Sequence, residues 1–343
     1  MKALFFEDKH KVAVKDVAVP ECLPGTLLVK VEACGICGSD LHFFDGAWPR
    51  PAHVVGHEIT ARVIEVGDGV SGFAVGDRVT AECFASCGRC PSCLAGRYNL
   101  CTDREHGPYH GALTGSFAEF ARLPAFISYR IPPSVGMEQA VMVEPLAVAN
   151  HAAGMSAAAP GCYAVVIGGG TIGLLSAAVL KALMRLRCMI VVKYDHQAAF
   201  AQKLGIDRVH KVTAGKTADA VREFTGGRLA DAVIDTIGTT AAMADALDAV
   251  RPAGTVCTLG LPGGRTIMPV GAIVGKEARV VGSNCYGYSG GTKDFELAID
   301  LLASGAVEAE QIITHRFPFN EAQKAFETAA EKSSGSVKVI LTF

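Results

Sequence analysis

Two patterns of apolar and polar residues divide the chain near residue 145. Before that point, short β-rich segments are separated by turns that contain glycine, and the clearest segments are 26–33 (TLLVKVEA), 61–66 (ARVIEV) and 78–82 (RVTAE). From Cys162 onward, apolar strands alternate with stretches long enough for crossover helices. The first pattern predicts a mostly β region, and the second predicts a parallel, doubly wound sheet with helices on its faces.

The second region predicts a series of strands joined by helices. Strands are expected at 162–167, 188–193, 207–212, 230–238, 254–260 and 278–284, and helices at about 171–186, 197–204, 216–225 and 240–250. After residue 284 the pattern changes to a helix over about 293–303 and a closing strand at 337–342. This tail is too short to fold alone, so we expect it to pack on the first region.

Together these patterns predict an α/β protein with two domains. One is discontinuous and comprises residues 1–147 and 285–343, and the other comprises residues 148–284. A length of 343 residues accommodates this division, and a hydrophobic content of 50% supplies enough apolar surface for both cores.

Charge and hydropathy exclude several classes of function. The chain has 32 Lys and Arg against 34 Asp and Glu, so we expect neither a nucleic acid nor an anionic membrane as partner. The N-terminus lacks the apolar stretch of a signal peptide, and the most apolar region, 177–192, contains Lys181, Arg185 and Arg187 and is too charged to span a bilayer. A cytoplasmic enzyme is the expectation.

A glycine-rich loop marks the start of the second region. The run 168–173 (GGGTIG) follows the predicted strand 162–167 and precedes the first helix. Gly168 permits a tight turn, Gly170 lets the backbone approach a pyrophosphate, and Gly173 lets the helix lie close to the strand. Thr171 and Ile172 begin the helix, whose N-terminus favours an anion. The context predicts dinucleotide binding, the alternative being a tight turn without a ligand.

The end of the next strand bears on the choice of dinucleotide. An acidic residue there would bind the ribose 2′-hydroxyl and favour NAD, but Val192 occupies the expected position and Lys193 follows it. A neutral residue followed by a lysine suits a 2′-phosphate, so we predict NADP in preference to NAD. The alternative is that Lys193 is a solvated charge and that Asp195 caps the next helix.

Four cysteines lie within one short loop in the first region, with the spacing C-x2-C-x2-C-x7-C. Four thiolates complete a tetrahedral zinc shell and leave no position for a substrate, so the pattern predicts a structural zinc site. Disulfides, an iron–sulfur cluster and a zinc ribbon that binds nucleic acid are the alternatives. The ligands would be Cys87, Cys90, Cys93 and Cys101.

A second set of metal-ligand types is dispersed along the chain. Cys37 lies in the run 35–42 (GICGSDLH), His57 and Glu58 lie in 55–58 (VGHE), and Glu144 lies in 143–146 (VEPL). One thiolate, one imidazole and carboxylates form a mixture typical of catalytic zinc.

These motifs, with EPLAVANH and GGGTIG, occur in the order found in one family, and the match covers essentially the whole chain. The sequence resembles the zinc-dependent medium-chain alcohol and polyol dehydrogenases, nearest the sorbitol and threonine dehydrogenase branch. The resemblance implies a mostly β catalytic domain of the GroES-like type and a Rossmann domain. It also implies two zinc ions per chain, one catalytic and one structural.

The resemblance assigns roles to individual residues. Cys37, His57 and Glu58 would bind the catalytic zinc. Glu144 stands where the polyol branch has a glutamate, and it would bind this zinc either directly or through a water molecule. Glu58 could instead orient the site without binding the metal. Ser39 and His42 match the positions of the family's proton relay, although a turn serine and a loop histidine are the alternatives.

The substrate implied is a small alcohol or its ketone. Phe43 stands where the sorbitol dehydrogenase branch has tyrosine, and the segment 283–291 lacks that branch's arginine–tyrosine pair. Both departures count against sorbitol itself and leave a secondary alcohol of a polyol, a cyclitol or a related polar metabolite. Simple or aromatic alcohols, a zinc-free reductase and a non-catalytic nucleotide-binding protein are the alternatives. The family also implies a homodimer or homotetramer.

Overall fold

The computed structural model describes residues 1–104 and 111–343, and we number its elements along the chain. The strands are β1 Lys2–Asp8, β2 Lys11–Asp16, β3 Thr26–Gly35, β4 Glu58–Val66, β5 Arg78–Ala81, β6 Phe120–Pro124, β7 Ser128–Arg130, β8 Tyr163–Ile167, β9 Arg187–Val192, β10 Arg208–Lys211, β11 Ala230–Asp235, β12 Val250–Thr258, β13 Arg279–Gly282, β14 Tyr288–Ser289, β15 Thr292–Lys293, β16 Ile313–Pro318 and β17 Lys338–Thr342. The helices are α1 Gly38–Phe44, α2 Pro91–Leu94, α3 Met137–Ala140, α4 Val143–Met155, α5 Thr171–Met184, α6 Asp195–Lys203, α7 Thr217–Thr225, α8 Thr240–Ala249, α9 Val270–Lys276, α10 Asp294–Ala303 and α11 Ala322–Ala330.

The first compact unit is built on a mostly antiparallel sheet. Its strand order is β16-β17-β3-β4-β5-β7, and β6 also pairs with β3. The long strand β3 has β4 on one side and β17 on the other, and both pair with it in antiparallel register. The closing strand of the tail therefore completes this sheet, as the sequence predicts.

The second unit contains a parallel sheet in the order β10-β9-β8-β11-β12-β13. All of the strand pairs in this sheet are parallel. The chain steps outward from β8 to β10 and then returns to place β11 on the other side of β8. This is the doubly wound topology, with its switch point between β8 and β11. The predicted fold class is confirmed for both parts of the chain.

The division into units differs in detail from the predicted domain limits. The first unit comprises Met1–Glu144, Ala298–Ser304 and Ile313–Phe343, and the second comprises Pro145–Leu297 and Gly305–Ile312. Residues 285–297 thus pack with the parallel sheet's unit, although the sequence pattern assigns them to the other domain. The physical reason is a buried hydrogen-bond network around Asp294, which ties this segment to α4.

Each unit has a core of its own. In the first, buried side chains of β3 and β4 pack with α11 and with β17. In the second, α7 and α8 pack on strands β8, β9, β11 and β12. None of the helices in the described ranges has the length and apolar character that a membrane crossing requires.

Candidate active site and cofactor loop

Cys37 lies where β3 gives way to helix α1. It is the N-cap residue of α1, in extended backbone conformation, and its backbone N–H donates to Asp40 Oδ2 at 2.8 Å. Asp40 is buried, and this burial raises the pKa of its carboxyl to about 6, against the opposing effect of His57. The Cys37–Asp40 hydrogen bond holds the cysteine at the end of the strand.

The ring of His57 forms a hydrogen bond with Cys37. His57 directly precedes β4, and its Nδ1 lies 4.0 Å from Asp40 Oδ1. Burial of His57 lowers its pKa, but the Cys37 thiol, which hydrogen-bonds to the ring, and the charges of Asp40 and Glu144 together raise that pKa well above its usual range. Glu144 lies in the first turn of α4 and is buried. The fold therefore brings a thiol, an imidazole and carboxylates together.

This donor set suits a divalent cation. A thiolate, an imidazole and a carboxylate are the ligand types of catalytic zinc sites, which leave a coordination position open. Negative charge is also concentrated here, as the raised pKa of His57 shows. Of the predicted ligands, His57 hydrogen-bonds to Cys37, and Glu144 is close enough for its charge to raise the pKa of His57.

Glu58, the fourth predicted ligand, forms a salt bridge with a lysine. It is the first residue of β4 and faces Gly35 in the register with β3. Lys338 of β17 donates to both carboxylate oxygens of Glu58 at 2.6 Å and to the carbonyl oxygen of Ile36 at 3.1 Å. A Cβ atom on Gly35 would lie 1.9 Å from Glu58 Oε2, so only glycine leaves room for the carboxylate here. To reach a metal beside Cys37, Glu58 would have to give up hydrogen bonds to Lys338.

Lys338 is a site residue that the sequence analysis missed. Its side chain is 2% exposed and that of Glu58 is 1% exposed, so the ion pair is fully buried. Burial lowers the pKa of Lys338, but the charges of Glu58 and Cys37 more than offset this and raise it overall. The available signal was a single lysine within the apolar run 337–341 (VKVIL).

The predicted relay residues lie on α1. Ser39 and His42 are three residues apart and so share one face of this helix. The ring of His42 packs against Trp48 with a centroid separation of 4.8 Å, and Phe43 contacts Trp48 at 5.5 Å. Phe44, in contrast, is buried in the core of the first unit.

The four-cysteine loop forms a compact cluster. The sulfur atoms of Cys87, Cys90, Cys93 and Cys101 all lie within 4.8 Å of one another. The closest are Cys90 and Cys93 at 3.5 Å, Cys90 and Cys101 at 3.9 Å, and Cys87 and Cys93 at 4.0 Å. A disulfide needs about 2.05 Å. Four sulfurs at ~2.3 Å from one zinc ion would be ~3.8 Å apart, so the cluster fits a single tetrahedral ion.

Backbone groups around the cluster favour thiolates. The N–H groups of Cys93 and Thr102 point to Cys90 and lower the pKa of its thiol to about 6. The backbone N–H of Cys87 donates to the Cys101 sulfur at 3.3 Å. Burial acts in the opposite direction on Cys93 and raises its pKa to about 12.

The glycine loop has the geometry that a dinucleotide requires. Gly168 adopts φ +114°, which is open to glycine but not to other residues. A Cβ on Gly173 would lie 1.9 Å from the carbonyl oxygen of Gly168, so this glycine allows α5 to approach β8. Gly170 is the N-cap of α5 and has open space around its Cα. Thr171 and Ile172 begin this helix, and the N-terminus of a helix attracts a phosphate.

Lys193 lies just beyond the carboxyl end of β9, where a Rossmann domain binds the adenosine ribose. It is exposed, and its Nζ lies 5.3 Å from the centroid of the Tyr194 ring. Gln197 Oε1 accepts hydrogen bonds from the backbone N–H groups of Lys193 and Tyr194 at 3.1 and 3.2 Å. Asp195, the nearest acid, is paired with Lys211 at 2.6 Å. Because the charges of Asp195 and Lys211 offset each other, the positive charge of Lys193 is the one left next to the expected ribose position.

Comparison with known proteins finds two family models. The alcohol dehydrogenase GroES-like domain matches residues 23–133, and the zinc-binding dehydrogenase domain matches residues 171–304. The chain is 33% identical to a sorbitol dehydrogenase from Arabidopsis thaliana, over 96% of this chain and 92% of that protein.

Solved structures are similar over the full length of the chain. A protein from Sinorhizobium meliloti described as a zinc-binding dehydrogenase, bound to NADP, has a TM-score of 0.88 and 31% identity, over 100% of this chain and 99% of that one. An Escherichia coli protein described as a short chain alcohol dehydrogenase, complexed with NADH, has a TM-score of 0.88 and 28% identity, with the same coverage.

Proposed function

The chain belongs to the zinc-dependent medium-chain alcohol and polyol dehydrogenases, and we propose that it transfers a hydride between a secondary alcohol of a polyol or related polar metabolite and a nicotinamide cofactor. The observation that carries this proposal is the hydrogen bond between Cys37 and His57, with the charge of Glu144 acting on the same imidazole, in a chain that also contains a glycine loop suited to a dinucleotide. Similarity to a sorbitol dehydrogenase supports a polyol substrate.

The protein's own residues prepare the site for this chemistry. Bound Zn²⁺ would supply the Lewis acidity that lowers the pKa of the substrate hydroxyl. Cys37, His57 and Glu144 would hold the ion, Asp40 orients Cys37 and His57, and Lys338 holds the carboxylate of Glu58.

The proton released by the alcohol needs a path to solvent. Ser39 Oγ can accept and pass on a proton, and the ring of His42 can carry it one turn further along α1. The packing of His42 on Trp48 fixes the position of this ring. We therefore assign the relay to Ser39 and His42.

A second zinc ion belongs to the four-cysteine loop in this proposal. The thiolate spacing fits one tetrahedral ion, and four sulfurs leave no open coordination position. This zinc would stabilise the loop without taking part in the reaction. The homodimer or homotetramer that the family implies and the cytoplasmic location that the sequence suggests stay predictions.

We propose NADP in preference to NAD because of Lys193. The relatives with bound cofactor include one with NADP and one with NADH, so the preference has to come from this chain's own residues. Lys193 is exposed at the ribose position, and the nearest carboxylate, Asp195, is already paired with Lys211. A positive charge without a competing acid favours the additional phosphate of NADP.

Replacing Lys193 with alanine tests this preference. We expect kcat/KM with NADP to fall about tenfold and kcat/KM with NAD to change less than twofold, because only NADP carries the 2′-phosphate. Steady-state kinetics with both cofactors measure the change, and Lys203→Ala, at the C-terminal end of the following helix α6, is the control. A higher kcat/KM with NAD than with NADP in the unmodified protein would contradict the proposal.

The proposed activity is tested with a panel of polyols, cyclitols, simple alcohols and the corresponding ketones, assayed at 340 nm with each cofactor. We expect turnover of polar secondary alcohols, together with two zinc ions per chain by elemental analysis. Faster turnover of simple or aromatic alcohols would favour that substrate class instead. Two bound zinc ions without turnover of any compound would favour the non-catalytic alternative.

A further inference from the structure

The motif that contains Glu144 continues to a histidine that the proposed chemistry does not use. In EPLAVANH (144–151), His151 lies on α4 seven residues after Glu144. Its Nδ1 is 2.9 Å from Asp294 Oδ2, with side-chain exposures of 12% and 0%. Because a carboxylate only accepts hydrogen bonds, Nδ1 is the nitrogen that carries the proton. A buried pair of this kind is unfavourable unless its hydrogen bonds are complete.

Asp294 satisfies the remaining bonds through the segment that precedes it. Its Oδ2 accepts the backbone N–H of Gly287 at 2.8 Å, and its Oδ1 accepts the hydroxyl of Ser289 at 2.6 Å. The side chain of Asn150, next to His151 on α4, donates to the backbone carbonyl of Asp294 at 3.1 Å. The hairpin of β14 and β15 is therefore held to α4 through Asp294, by its carboxylate and by its backbone carbonyl.

The segment that leads into this hairpin follows the last strand of the parallel sheet, and this position indicates a role for it. Dinucleotides bind outside the carboxyl ends of the strands, one mononucleotide on each half of the sheet. The glycine loop and Lys193 assign the adenosine half to β8–β10, so the nicotinamide half falls to β11–β13. The segment 283–287 leaves the carboxyl end of β13. At its start, Ser283 Oγ is buried and has no hydrogen-bond partner among the described residues.

We propose that His151 and Asp294 are positioning residues that hold the segment 283–293 in the conformation that receives the nicotinamide half of the cofactor. This inference rests on the proposed dinucleotide binding. His151 acts through Asp294, and Asp294 acts through Gly287 and Ser289. Loss of the pair frees the segment, while the adenosine half of the site, built by the glycine loop and β9, is unaffected.

The test compares a whole cofactor with its adenosine half. Titration calorimetry on the zinc-loaded protein measures the binding affinity for each compound. The affinity for NADP is compared with that for 2′,5′-ADP, and the affinity for NAD with that for AMP, so the result does not depend on which cofactor is preferred. In His151→Leu, which removes the donor, we expect about tenfold weaker binding of NADP and NAD and less than a twofold change for 2′,5′-ADP and AMP. His151→Asn places an amide N–H near the position of Nδ1 and is expected to restore most of the affinity.

Two further variants separate positioning from general loss of stability. Ser289→Ala removes the other side-chain donor to Asp294 and should show the same selective loss in smaller degree. His210→Leu removes another buried histidine of the same unit, whose ring bonds to the carbonyl oxygen of Gly215, and should show no nicotinamide-selective loss. Equal weakening of both halves in His151→Leu, or no recovery in His151→Asn, would overturn the proposal. If the unmodified protein bound neither NADP nor 2′,5′-ADP, and neither NAD nor AMP, the proposed dinucleotide function would fail instead.

Discussion

Replacement of Cys37 with serine is expected to abolish turnover and to remove one of two zinc ions. A serine hydroxyl does not ionise near neutral pH, so the site loses its thiolate and retains an imidazole and a carboxylate. Loss of the several kcal/mol that a Lewis acid contributes to the transition state corresponds to a fall in kcat/KM of roughly 10³-fold or more. Kinetics and elemental analysis on the same preparation measure both effects.

The matched control is Cys101→Ser, which changes the same atom in the other cluster. This variant is expected to lose the zinc of the four-cysteine loop and a large part of its thermal stability, while the site at Cys37 keeps its ion. Retention of turnover in Cys37→Ser would overturn the assignment of the catalytic site. Loss of both ions in Cys37→Ser would mean that the two sites do not bind metal independently.

Replacement of Lys338 with methionine is expected to lower the free energy of unfolding by about 3–5 kcal/mol. Methionine fills a similar volume but leaves the carboxylate of Glu58 buried without a counter-charge. The cost is high because both partners are almost completely excluded from water, with side-chain exposures of 2% and 1%. Denaturant unfolding at neutral pH measures the change.

Two further variants test whether charge is the cause. Lys338→Arg keeps the positive charge and should lose much less stability than Lys338→Met. The double variant Glu58→Gln with Lys338→Met removes both charges and should recover most of the loss, because removing both members of a buried ion pair costs less than removing one. A loss below about 1 kcal/mol in Lys338→Met would show that Glu58 finds another partner, such as the metal.

Motifs made of residues close together in the sequence were sufficient to predict the dinucleotide loop and the four-cysteine cluster. The strand, the glycines and the helix of the dinucleotide loop are consecutive, so their geometry follows from local backbone rules. The prediction that Gly168 makes the turn and Gly173 allows close packing agrees with the φ of +114° and the 1.9 Å contact. The four cysteines also lie in one loop, and the loop needs little else to bring their sulfurs together.

Sequence patterns could not identify side-chain partners that lie far apart along the chain. Glu58 matches a ligand position of the family, but its carboxylate bonds to Lys338, 280 residues away along the chain. The same limit explains why the compact units divide the chain differently from the predicted domains near residue 285, because His151 and Asp294 are separated by 143 residues. A single lysine in an apolar strand signals a buried partner without identifying it.

The sequence by itself determined the fold class, the dinucleotide loop, the four-cysteine cluster and the family, because each depends on residues that are close in the chain or on motifs in a fixed order. Only the tertiary structure decided which carboxylates act on His57, which one is neutralised by Lys338, and which unit holds residues 285–297. The physical reason is that burial removes water as a partner. A buried charge must then bond to whatever the packed strands and helices place next to it.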